Sequence, residues 1–176
     1  MKKTILLLAF AMLATVSFSQ NAKYGIRVGY NISNLDFEPA PTFDNTHRNG
    51  FAIGVFGEYD LSASIALAPE LQFSAEGAKD RALRVDYIQA PILFKFRIGN
   101  KVALGAGPLV GVKVHEFEDG YRNFGFSGVG AFEFMVTDEI FIDARYHYGF
   151  TNILDDNPAG LEAKNTNIQI GIGVKI

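Results

Sequence analysis

The chain contains no cysteine and no tryptophan. Without cysteine, disulfides cannot stabilise it outside the cytoplasm. It has no segment of useful length with a helical period. Beyond the N-terminus, no run approaches the ~18–20 apolar residues of a membrane helix. Strong charge of either sign is also missing. Sixteen Lys and Arg against nineteen Asp and Glu give a formal net charge of −3, which argues against a nucleic-acid partner. No composition shift marks a domain boundary. What is abundant is glycine (18), phenylalanine (16) and tyrosine (7), set in segments that alternate with a period of two.

The last such segment is the clearest. From 165 to 176, Thr166, Ile168, Ile170, Ile172, Val174 and Ile176 fall on one face, with Asn165, Asn167, Gln169, Gly171, Gly173 and Lys175 on the other. Strand side chains point to opposite faces in turn, so this strand needs an apolar medium against its isoleucines. The N-terminus indicates where that medium is. Lys2 and Lys3, an apolar stretch over 5–16 and the small residues around Ser17 and Ser19 predict a secretory signal peptide over 1–19. One domain is expected over 20–176.

The alternation predicts eight strands, at about 23–31, 50–60, 65–76, 83–98, 101–114, 124–136, 140–150 and 165–176, with a bulge near Tyr87. Most approach the ~9–11 residues that cross a bilayer as a tilted strand. Connections alternate long and short: 32–49, 61–64, 77–82, 99–100, 115–123, 137–139 and 151–164. Outer-membrane barrels have short periplasmic turns, longer outer loops and an even strand count. The fold class expected is therefore all-β, an eight-stranded antiparallel up-and-down transmembrane β-barrel with both termini on the periplasmic side.

A soluble barrel would also alternate, with its apolar face inward. Three features point the other way. The polar face is crowded with glycine and alanine. It carries both signs of charge in mid-strand: Arg27, Lys95, Arg97, Lys113 and Arg145 against Glu58, Glu70, Glu133 and Asp143. The interior of an eight-stranded barrel is just filled by side chains, which suits small residues and paired charges. Tyr24, Tyr30, Tyr59, Tyr146 and Tyr148 lie toward strand ends on the apolar face, where aromatic belts meet headgroups. Arg27, Glu58, Glu70, Lys95, Arg97, Glu133, Asp143 and Arg145 are therefore expected to form a structural charge network in the lumen, with Glu70 and Arg145 central. Gln169 should lie inside and Ile170 against lipid near the midplane, so that Gln169→Lys would be milder than Ile170→Arg.

Ordered segments carry a resemblance. They are Gly25-Ile26-Arg27-Val28-Gly29-Tyr30-Asn31, Ala68-Pro69-Glu70-Leu71-Gln72-Phe73-Ser74, Tyr87-Ile88-Gln89-Ala90-Pro91-Ile92-Leu93, Gly105-Ala106-Gly107-Pro108 and Ala144-Arg145-Tyr146-His147-Tyr148-Gly149-Phe150. Together they resemble the porin-family, PorT-like outer-membrane β-barrel domain of Gram-negative bacteria. The resemblance implies an integral outer-membrane barrel and no particular activity, since fold does not settle function.

Candidate chemistry is sparse. The histidines are His47, His115 and His147. A lipid hydrolase centre could only be assembled from Ser127, His147 and Asp143, whose spacing forces no approach; an interior structural network is expected instead. Gly105, Gly107 and Gly111 lack the spacing and the following helix of a dinucleotide loop. Glu116, Glu118, Asp119, Asp155, Asp156 and Asn157 lack the order of a calcium loop. Asn31-Ile32-Ser33 is formally a glycosylation sequon. No catalytic centre, cofactor or metal is expected. The reading is a monomer with a plugged lumen and a structural, adhesion or interaction role through its outer loops. Its partners would be outer-membrane lipid and lipopolysaccharide, with a surface ligand or protein at the loops. A small porin or secretion-accessory barrel is the first alternative, a lipid-modifying enzyme the second.

Overall fold

The computed structural model describes residues 22–43, 45–114, 120–155 and 160–176; the leader expected over 1–19 lies outside them. Eight strands follow in order: β1 Ala22–Glu38, β2 Arg48–Asp60, β3 Ile65–Gly77, β4 Arg84–Ile98, β5 Val102–Lys113, β6 Phe124–Met135, β7 Ile140–Gly149 and β8 Glu162–Lys175. Each pairs antiparallel with its sequence neighbours, and β1 pairs with β8 from Gly25↔Lys175 to Glu38↔Glu162, closing the barrel. Closure leaves no free edge, the condition for carrying a sheet through hydrocarbon.

The faces segregate by parity. Ile26, Ile53, Leu71, Phe94, Leu104, Phe132, Ile142 and Ile170 are exposed on the outside. Inward-facing Arg27, Glu58, Glu70, Lys95, Glu133 and Arg145 are buried. The isoleucine-to-glycine alternation of β8 has a steric basis. A Cβ on Gly171 would lie 2.6 Å from both the Arg27 guanidinium and Asp143 Oδ1, and one on Gly173 would lie 2.3 Å from the Phe141 ring. Bare backbone there is what admits large groups from facing strands.

Three details depart from the sequence reading. β1 runs on to Glu38 and β8 starts at Glu162, so both rise above the barrel as a paired extension where a loop was expected. Tyr30 consequently sits mid-strand rather than at an end. There is no bulge at Tyr87: β3–β4 register is constant from Ile65↔Phe96 to Gly77↔Arg84, and β4–β5 register from Tyr87↔Lys113 to Ile98↔Val102. The slip is in β2. Pairing changes between Ala52↔Ser74 and the bridge His47↔Ala78, adding one residue on the β2 side. Asn31 fills the opening by donating to Phe51 O at 3.1 Å, Ser74 Oγ at 2.9 Å and Ala75 O at 3.0 Å. This accounts for the buried amide of the formal sequon.

Three prolines line up on adjacent strands. By register Gly57 faces Pro69, Glu70 faces Pro91 and Ile92 faces Pro108, and the ladder is interrupted at each of these places. Proline has no N–H to donate. The other five seams pair without a break.

Candidate functional site

The lumen is built in layers. Nearest the short turns, Lys95 Nζ donates to Glu58 Oε2 at 3.0 Å and Glu133 Oε2 at 2.8 Å. Lys175 bridges the same two carboxylates, and Arg97 joins Glu58 at 2.6 Å and Asp60. Phe56 and Phe141 pack edge to face beside this cluster, their centroids 5.6 Å apart. Above it, Arg27 forms a two-pronged bond to Asp143, at 2.6 Å through both Nε and Nη2. Arg145 forms another to Glu70, at 2.6 and 3.0 Å, and its Nε donates to Asp143 at 3.0 Å. Such fork-to-carboxylate pairs are the strong form of the charge-assisted bond. Gln169, fully buried, accepts from Arg27 at 2.9 Å.

A third layer centres on Glu76. Its carboxylate accepts from Ser74 at 2.6 Å, Gln89 at 2.9 Å, Asn167 at 3.0 Å and Asn165. His147 lies close, with Nδ1 4.0 Å from Glu76 Oε1, and neither ring nitrogen has a hydrogen-bond partner among the described residues. On top sits an apolar cluster of Leu35, Ala78, Val85, Tyr87, Ile153 and Ala163. The outer connections meet around it. Asn45 donates to Leu35 O at 2.6 Å, Arg122 N to Ile153 O at 2.7 Å, and Tyr121 OH to Ala82 O at 2.6 Å.

Of the eight residues expected in the lumen, Arg27, Glu58, Glu70, Lys95, Glu133, Asp143 and Arg145 are buried, while Arg97 is partly exposed, its side chain 23% accessible. They fall into two groups: Glu58, Lys95, Arg97 and Glu133 below, Arg27, Glu70, Asp143 and Arg145 above. The expected charge network omitted Lys175 and Glu76, although the strands read at 65–76 and 165–176 place both on the polar face. The Asn31, Gln72, Gln89, Asn167 and Gln169 amides were not assigned partners, because parity gives a face but not a distance. The apolar cluster was missed for another reason: Ile153 and Leu35 come from segments read as loop. One mutational expectation is corrected: with Arg27 2.9 Å from Gln169, a lysine at 169 would meet a cation at close range.

Ser127, His147 and Asp143 do not assemble. Ser127 pairs with Gly149, while Asp143 pairs with Glu133, six residues further along β6. That is about 20 Å of strand. Asp143 is already committed to Arg27 and Arg145. Gly107 serves a close strand approach, since a Cβ there would lie 1.9 Å from Ile92 O. His47 bridges to Ala78, and Asp155 lies 3.9 Å from Arg122 at the surface. His115, Glu116, Glu118, Asp119, Asp156 and Asn157 lie outside the described residues.

The outer membrane protein beta-barrel domain family matches residues 4–175. Among solved structures, Ail, the attachment invasion locus protein of Yersinia pestis, is 17% identical with a TM-score of 0.56, over 89% of this chain and 100% of that one. Neisserial surface protein A is 12% identical with a TM-score of 0.61, also over 89% and 100%. A de novo designed transmembrane β-barrel is 8% identical with a TM-score of 0.51, over 88% and 95%. At such identities the likeness is one of fold. No curated protein matches the chain.

Proposed function

The chain belongs to the outer membrane protein beta-barrel domain family and is an integral outer-membrane barrel, and on that premise we propose that it is a monomeric, non-conducting anchor that presents its outer connections for interaction. The observation that carries this reading is the filling of the lumen. Two layers of paired charge and one of hydrogen-bonded amides around Glu76 are closed above by the Leu35–Ile153 cluster. An eight-stranded barrel has no spare cross-section for a water column beside such side chains.

The same cluster gives the described parts of the outer connections a buried core around Leu35 and Ile153, and a pre-organised surface of that kind suits binding. Export would use residues 1–19 as a cleaved leader. The ordered segments quoted above support a place in the PorT-like branch. The protein would have no catalytic role, given the separation of Ser127 from Asp143. The Yersinia pestis barrel has been crystallised with the heparin analogue sucrose octasulfate, so sulfated polysaccharide is the first probe for the crown. Planar-bilayer recording tests the central statement. The folded barrel should give no discrete conductance steps, and reproducible steps would replace the anchor with a porin.

A further inference from the structure

Beside the β2 slip, at the end bearing the long connections, lies a cleft on the outside of the barrel. It has a volume of about 560 Å³ and is lined by His47, Arg48, Phe51, Lys79 and Arg84, among others. Its two halves differ in chemistry. The lower half is formed by the Phe51 ring, 57% exposed, with the Phe73 ring beside it on the same outer face, their centroids 5.5 Å apart and their planes tilted by 40°. The upper half is cationic. Arg84 stands opposite Gly77 at the start of β4, and Lys79 and Arg81 follow in the same connection.

Of the cations that line the cleft, Lys79 and Arg84 are not spent within the protein. Arg48 is neutralised by Asp86 at 2.8 Å. Arg84 donates only to the Lys79 carbonyl, at 3.2 and 3.4 Å. Among the described residues Lys79, Arg81 and Arg84 have no ion-pair partner. The one carboxylate in that connection, Asp80, caps the short helix by accepting from Ala82 N at 3.0 Å.

The spacing matches a membrane boundary. From the Phe73↔Ile88 pair to the Gly77↔Arg84 pair is four residues, or about 13 Å along a strand. A strand tilt of ~40° makes this roughly 10 Å in height. The headgroup zone adds ~5–7 Å on each side of the hydrocarbon, and a long cationic side chain reaches back toward it. With Phe51 and Phe73 in the hydrocarbon, the charged groups therefore stand at headgroup level.

We propose that this cleft holds a phosphorylated glycolipid of the outer leaflet, its phosphate on Lys79 and Arg84 and an acyl chain along Phe51 and Phe73. Charge complementarity selects an anion. The aromatic lower half, turned to lipid, selects one carrying a hydrocarbon tail over a soluble polyanion. The inference rests on the outer-membrane reading, with long connections facing outward.

The test uses the folded barrel in phosphatidylcholine nanodiscs, titrated with diphosphorylated lipid A and with its phosphate-free form. The diphosphorylated form should bind at least roughly ten-fold tighter, the scale of one charge-assisted contact. The double substitution Lys79→Gln, Arg84→Gln should erase that preference while leaving unchanged the gel shift between unboiled and boiled samples that a closed barrel shows. Phe51→Ala should weaken both lipids alike. A preference that survives the double substitution overturns the site. So does competition by heparin or inorganic phosphate at concentrations equal to lipid A, which would reduce the cleft to a general anion patch. Orientation is read separately. Thr42→Cys, in a chain with no other cysteine, should react with a membrane-impermeant maleimide on whole cells. Failure of that labelling would overturn the outer-membrane reading, and the site with it.

Discussion

At the scale of single residues the lumen is governed by desolvation. Arg145 and Glu70 are 3% and 8% exposed, and each meets its charge in the other with near-ideal fork geometry. Removing one partner strands the other, at a cost of about 3–5 kcal/mol, whereas replacing a buried pair with apolar groups of similar volume is often neutral. Glu70→Ala and Arg145→Ala should each destabilise the barrel by about that amount, measured by urea unfolding in lipid vesicles. Glu70→Met with Arg145→Met should cost well under the sum, because Asp143 keeps Arg27. Additive losses would mean that the two side chains act independently.

The strand is the scale at which the sequence was most legible. A period of two fixes a face, so Ile170 outside and Gln169 inside could be read directly, as could Arg27 opposite Val28. An arginine on the lipid face near the midplane costs about 2–4 kcal/mol, so Ile170→Arg should impair folding into vesicles. Gln169→Lys should be impaired as well, for a different reason, since it sets a lysine against Arg27 in a closed interior. Titrating the lipid thickness separates the two: a thinner bilayer should relieve the substitution at 170 and leave that at 169 unchanged. Parity could not yield pairing across the lumen. The partner of Arg27 is 116 residues away on β7, and which of several inward carboxylates it meets depends on the stagger of a closed sheet. Strand ends were also opaque. The upper parts of β1 and β8 are rich in Asn, Asp and Glu because they pair above the membrane, and polar composition there reads as loop.

For the molecule as a whole, closure makes every seam part of one ring, yet the seams are not equal. Those joining β5 through β8 to β1 and β2 are fully laddered, while each seam from β2 to β5 has a proline where a donor would be. A net backbone hydrogen bond contributes ~0.5–1.5 kcal/mol, so the three gaps concentrate a modest weakness in one arc of the wall. That arc should show mechanically. If the C-terminal end is drawn out of a bilayer by force spectroscopy, the hairpins of β7–β8 and β5–β6 should resist as intact units, and extraction of β3–β4 should need the lowest force per residue. A β3–β4 step as strong as the others would show that side-chain packing, not the ladder, sets the tensile strength of this wall.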